Sequence, residues 1–201
     1  MKKTLFLLKT FLSVFLSVNL NRVIKIGGAV LSDSKEFVKS FKSIIGQADS
    51  PAVIVVSALS KSTRILSKIA YMALDGKTIA ATDAINQLFD FYREFAKEIG
   101  LSNSNIEELY SSLDNIKQYI SGLLEGISIT RELTRRTLDA VISRGEAVTL
   151  ELVKSFCKQI RLDAACVDST NLITTDSNFG AAKPIIERSV ERGGQTRWLE
   201  A

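Results

Sequence analysis

Lys25 stands two residues before a Gly27-Gly28 pair, in the stretch Val23 to Val30 that reads VIKIGGAV. Glycine lets backbone N–H groups approach an anion closely, a helix N-terminus after such a turn adds a favourable dipole, and lysine supplies a mobile positive charge. The chemistry this suits is the binding of a phosphate. A second polar group, Ser57-Ala58-Leu59-Ser60-Lys61-Ser62-Thr63, gathers four hydroxyls and one ammonium in a short loop. A third is Glu146, directly after a glycine in Ser143-Arg144-Gly145-Glu146. A carboxylate there either complements the macrodipole of the helix it opens or contacts a ligand, and residue type alone leaves both readings open.

The rest of the inventory narrows the chemistry. Histidine is absent, which removes every Ser-His and Cys-His nucleophilic scheme and argues against zinc. The two cysteines, Cys157 and Cys166, each lie in an apolar segment and read as buried reduced thiols, not as a disulfide or a metal pair; a reducing, cytoplasmic compartment fits. The 26 basic and 22 acidic residues are interspersed, so the net charge of +4 gives no nucleic-acid-binding stripe. What remains is lysine, arginine, carboxylates, hydroxyls and backbone. A length of 201 residues with 46% hydrophobic and 24% charged residues is ordinary for one large globular domain or two small ones.

These groups need elements to position them. Residues 1–22 begin with Lys2 and Lys3 and continue as LFLLKTFLSVFLSV, resembling the start of a secretory signal. Lys9 interrupts the apolar run and no small-x-small pattern precedes Arg22, so the segment reads as a non-native apolar extension, and a membrane partner is not expected. Val23 to Ile26 has strand character. Ser32 and Asp33 then offer N-caps, Glu36 adds first-turn charge, and Phe37, Phe41, Ile44 and Ile45 recur at helical spacing. The β-branched run Ala52 to Val56 reads as a second, buried strand. Strand, helix, strand is a right-handed crossover between parallel strands, which puts the glycine turn and the hydroxyl loop at the carboxyl ends where such sheets bind ligands. From about 79 to 145 the pattern is a helical insertion, with one stripe through Leu88, Phe89, Tyr92, Phe95, Ala96 and Ile99 and another through Ile106, Leu109, Tyr110, Leu113, Ile116 and Ile120; these aromatics read as core packing. A further helix carries Val148 to Phe156, short strands are expected at 163–167 and 172–175, and Pro184 opens a last helix that ends at Arg192-Gly193-Gly194.

KIGGAV, VVSALSKST, SRGEAVTLELV and DSTNLITTDSNFGAAKP, in that order, closely resemble the amino-terminal half of the aspartate kinases of the amino-acid kinase superfamily. The likeness runs from about Val23 to about Glu191. It implies an α/β fold, an αβα sandwich with a mainly parallel sheet, the helical insertion, and an amino-acid kinase domain covering 23–201 only in part. It also implies transfer of the ATP γ-phosphoryl group, with Mg²⁺, to the side-chain carboxylate of L-aspartate, on the route to lysine, threonine and methionine. By the resemblance, Lys25 is the catalytic phosphate-binding lysine, and Lys25, Ile26, Gly27 and Gly28 line the nucleotide phosphates. Ser57 and Thr63 contact aspartate, and Glu146 holds its amino group.

A β-carboxylate with a solution pKa of about 3.9 is already ionised at neutral pH, so its phosphorylation needs no general base, and the lack of histidine is no obstacle. The chain departs from the family in two places. Ala29 and Val30 replace a hydroxyl pair after the glycines, and the sequence stops where the family continues into further substrate and nucleotide contacts, Gln195-Thr196 following Arg192-Gly193-Gly194 in place of Ser-Asp. The chain accordingly reads as truncated and weakly active or inactive by itself, partnered by copies of itself or by a complementing kinase subunit. The competing readings are a non-catalytic kinase-like fragment that serves as a binding module, and a related kinase for another carboxylate.

Overall fold

The computed structural model describes residues 22–28, 30–46 and 52–194; Ala29 of the glycine turn and the apolar extension before Arg22 lie outside the described residues. Two strands, β1 (Arg22–Ile26) and β2 (Ala52–Val56), pair in parallel with Ile26 opposite Val56. This is the crossover that the periodicity predicts, with α1 (Ser34–Gly46) as its helix. Asp33 starts that helix, its Oδ1 accepting the Lys35 and Glu36 amides at 2.9 and 3.0 Å and so satisfying donors that a first turn leaves free.

The helices follow in order: α2 (Ser62–Leu74), α3 (Thr78–Glu98), α4 (Asn103–Thr130), α5 (Arg135–Ile142), α6 (Arg144–Gln159) and α7 (Ile186–Gly194). Helix α2 packs on α3, α4 and α5, while α6 packs on α4 and also meets α2 and β2. Apolar residues at helical spacing account for this: Ile85, Leu88, Phe89, Tyr92, Phe95 and Ala96 of α3 are all buried, as are Leu109, Leu113, Ile120, Leu124 and Ile127 of α4. Four phenylalanines close the core. Phe37 meets Phe41 at 4.7 Å, Phe95 at 5.6 Å and Phe156 at 5.3 Å between ring centroids, which joins α1, α3 and α6.

The two strands expected at 163–167 and 172–175 do not form. The first carries no ladder, and the second contributes one isolated antiparallel bridge, Thr175 to Pro184. Local polar groups take up the backbone instead. Thr174 donates its amide to Ser189 Oγ at 3.0 Å and accepts from the Ile185 amide at 2.8 Å. Asp176 Oδ1 accepts the Asn178 and Lys183 amides, and Gly180 donates to Asp139 Oδ2 at 2.7 Å, tying this segment to α5. Cys157 is buried, Cys166 half-buried, and both are free thiols. Among the described residues no helix is long and apolar enough to cross a membrane.

Candidate active site

Parallel pairing brings the carboxyl ends of β1 and β2 side by side, and the Gly27-Gly28 turn and the Ser57–Lys61 loop leave from that one edge. The turn closes by Val30 and Leu31 donating their amides to the Gly27 carbonyl at 3.1 and 3.3 Å, and Leu31 anchors it by complete burial. A methyl group on Gly28 would sit 3.2 Å from the Ala58 carbonyl oxygen and 3.4 Å from that of Ser60, so the two loops touch through bare backbone. Among the described residues, a methyl on Gly27 would meet nothing within 4 Å, so that face of Gly27 is open.

The start of α6 approaches the same loop from another side. A methyl on Gly145 would sit 3.2 Å from Ala58 Cβ and 3.4 Å from Ser62 Cβ. One turn on, Thr149 Oγ1 accepts the Leu59 amide at 2.8 Å and donates to the Gly145 carbonyl at 3.1 Å, both bonds buried. Two glycines 117 positions apart (145 − 28) thus press on one short loop. Ser60 at its tip has φ 48, in the left-handed region that a residue with a Cβ enters at a cost of about 1–2 kcal/mol.

Of the residues expected to act, Glu146 lies beside this loop in the first turn of α6. The residue is open to solvent, yet burial of its carboxyl raises its pKa above the ordinary 4.5, opposed by its own amide and the Ala58 amide, which favour the carboxylate. Ser57 is half-buried where β2 ends, and Thr63 is exposed in the first turn of α2. None of the loop hydroxyls caps α2: its N-cap is Lys61, without a side-chain bond, and Ser62 donates to the Leu59 carbonyl. Lys25 is exposed, opposite Val55 in the strand register, with no carboxylate partner among the described residues. Ile26 is buried beneath the turn. The structure therefore gathers Gly28, Ser57, Thr63 and Glu146 around one loop, with Lys25 at the end of the strand that enters it.

Thr149 and Tyr92 escape notice as site residues in the sequence, and Ser62 is read there only as one of four loop hydroxyls. Thr149 is one of several polar residues in an amphipathic helix, and its only local sign is a spacing of four from Gly145, where its hydroxyl reaches back to the carbonyl. Tyr92 belongs to the core stripe, and its position in that stripe gives no hint that its hydroxyl lies near Ser62 and Glu146. Among the described residues no three His, Cys, Asp or Glu side chains assemble into a metal-holding group.

Comparison with known proteins agrees with this architecture. The model of the amino acid kinase family matches residues 22–194. Aspartokinase 2, chloroplastic, of Arabidopsis thaliana is 30% identical over 158 residues, which are 77% of this chain and 28% of that protein. Aspartokinase 3, chloroplastic, of the same plant is 28% identical over 158 residues, 77% of this chain and 27% of that protein. The chain thus spans little more than a quarter of the length of the curated relatives it matches. Among solved structures, E. coli aspartokinase III in complex with lysine and aspartate superposes with a TM-score of 0.69 at 20% identity, over 85% of this chain and 36% of that one. Clostridium acetobutylicum aspartate kinase gives 0.61 at 21% identity, over 86% and 35%. The fold is that of these kinases, and the family match takes in both strands, the crossover helix and every helix after it. This chain belongs to the amino acid kinase family.

Proposed function

We propose that the chain forms the phosphate turn and the acceptor-binding loop of an aspartate kinase, which transfers the γ-phosphoryl group of ATP to the side-chain carboxylate of L-aspartate. The observation that carries this reading is the convergence of Gly28 and Gly145 on the Ala58–Ser62 loop, with Glu146 beside it. A phosphoryl donor over the open face of Gly27 and an acceptor held by the loop would then be neighbours. Bound aspartate would present its ammonium to Glu146 and its carboxylates to the Ser57 and Thr63 hydroxyls. A carboxylate oxygen attacks the γ-phosphorus as the bond to the β-phosphate oxygen breaks and ADP leaves. Both reactants are anions, so most of the work is positioning and charge neutralisation.

Lys25, uncommitted to any carboxylate among the described residues, would supply protein charge toward the phosphates. Mg²⁺, when present, neutralises phosphate charge, and because it keeps waters and binds through few carboxylates it would arrive with the nucleotide. E. coli aspartokinase III has been crystallised with aspartate and ADP, which supports testing aspartate and an adenine nucleotide first.

The test is calorimetric titration with L-aspartate and with MgATP, together with trapping of aspartyl phosphate as its hydroxamate. Saturable binding of both ligands is expected. Wherever turnover is measurable, Lys25→Ala should reduce it on the order of 10²-fold. Absence of aspartate binding, or turnover insensitive to Lys25→Ala, would refute the assignment.

A further inference from the structure

Tyr92 is the largest of the fully buried side chains, and its phenol oxygen has no hydrogen-bond partner among the described residues. A residue that only filled space there would need no hydroxyl, since an unpaired buried donor weakens a fold instead of supporting it. The groups beside that oxygen belong to the candidate site. Ser62 is near enough to favour its ionised form, though outside hydrogen-bond geometry, and Glu146 acts in the opposite sense. Burial prevails and pushes the phenol up to about 12, so it remains a neutral donor throughout the physiological range. Ser62 spends its own proton on the Leu59 carbonyl, which leaves its oxygen lone pairs as the acceptor facing Tyr92.

Thr149 holds the Leu59 amide at 2.8 Å, in a bond that joins positions 90 residues apart. Between Leu59 and Ser62 in the chain lies Ser60 in its left-handed conformation, a strained residue that persists only where neighbours hold it. We infer that Tyr92 and Thr149 are positioning residues that set the Ala58–Ser62 loop against Glu146: Thr149 through its hydrogen bond to Leu59, and Tyr92 by donating to Ser62 once an acceptor carboxylate settles the loop. The inference rests on the assignment of that loop and Glu146 to aspartate. Neither residue touches substrate. Their effect passes through the loop and falls on ligand affinity; loss of the Tyr92 hydroxyl leaves the stability of the unliganded chain intact, whereas loss of the Thr149 hydroxyl also leaves the buried Leu59 amide unpaired and lowers it.

The experiment combines L-aspartate calorimetry, thermal melting and amide hydrogen exchange at Leu59 on the whole chain, wild type and Tyr92→Phe, Thr149→Val and Thr149→Ser. Tyr92→Phe should melt at or above the wild-type temperature, having lost only an unpaired hydroxyl, while binding aspartate about 5- to 10-fold more weakly. Thr149→Val should weaken binding to a similar degree and speed exchange at Leu59 by about 10-fold, and Thr149→Ser should restore both. Wild-type affinity, within about twofold, in both Tyr92→Phe and Thr149→Val would overturn the inference. A wild-type chain that binds no aspartate would remove the functional assignment itself. Leu59 exchange then decides by its own result: protection lost in Thr149→Val and regained in Thr149→Ser supports the positioning role, and unchanged protection in Thr149→Val overturns it.

Discussion

Glu146 shows at residue scale how a binding site trades against stability. Its carboxyl is desolvated, which favours the protonated form in the folded chain, and the two nearby amides only partly oppose this. A group whose folded pKa is raised adds stability below its unfolded pKa, and that contribution is lost as pH rises through the folded value. Ionised Glu146 therefore burdens the unliganded chain at neutral pH, and an arriving ammonium would relieve it. Aspartate affinity should decline with falling pH at a point above 4.5, before the ligand's own side chain titrates at about 3.9. Glu146→Gln should abolish that limb and weaken binding by about 10-fold or more, while leaving the melting temperature of the unliganded chain equal or higher. Calorimetry from pH 7 down to about 4.5 checks this, and a pH profile unchanged by Glu146→Gln would exclude the ammonium-binding role. Cys157 illustrates the same physics without a function: burial pushes its thiol up to about 11, so it stays protonated and unreactive at neutral pH.

At the scale of elements, the site consists of three chain segments meeting at backbone distance, and glycine is what permits it. Gly145→Ala sets two effects against each other. Alanine is the better helix former by about 1 kcal/mol. Its methyl, 3.2 Å from Ala58 Cβ, requires the loop to move by a few tenths of an ångström, and crowding of this kind costs about 1–3 kcal/mol where the neighbours cannot yield. Because the neighbour is a loop, it can yield. The melting temperature should shift by only a few degrees, while aspartate affinity falls several-fold. Gly28→Ala, pressing on the Ala58 carbonyl, should act in the same direction. Equal affinity in both variants would show that loop placement does not govern binding.

The sequence was most legible at this scale, and unevenly so. The Asp33 cap, the strand pair and the phenylalanine-bearing faces of α1, α3 and α6 follow from local periodicity and capping chemistry, which tertiary contacts here reinforce. The segments 163–167 and 172–175 have strand composition, but a strand exists only with a partner ladder. In the first, Ala164 and Ala165 remain exposed without one, and in the second the backbone bonds are taken by Ser189 and Ile185. The candidate site was legible as a set of motifs. Its support was not, since the pairing of Leu59 with Thr149 and the approach of Tyr92 to Ser62 depend on three-dimensional packing that leaves no trace in spacing.

At the scale of the whole molecule, one aromatic cluster joins α1, α3 and α6. Phe156 of α6 lies 5.3 Å from Phe37 and 5.9 Å from Phe41 between centroids, so the helix whose first turn carries Glu146 is fastened at its other end to the crossover helix between the strands. Phe156→Ala should cost about 3–5 kcal/mol, a large fraction of the 5–15 kcal/mol by which domains are stable. Urea denaturation followed by far-ultraviolet circular dichroism and by aspartate binding should show both signals lost in one transition at a lower midpoint; loss of less than about 1 kcal/mol would mean that the cluster does not carry this role.

The bond from Leu59 to Thr149 also has a consequence in time. During synthesis at about 5–20 residues per second, the 90 residues that separate the partners take roughly 5–18 s to make. Through that interval the glycine turn and the hydroxyl loop already exist as chain, but the helix that holds them in place does not. The candidate site therefore takes shape on a nascent chain only after α6 has been made, when that helix returns to the edge from which β1 and β2 emerged.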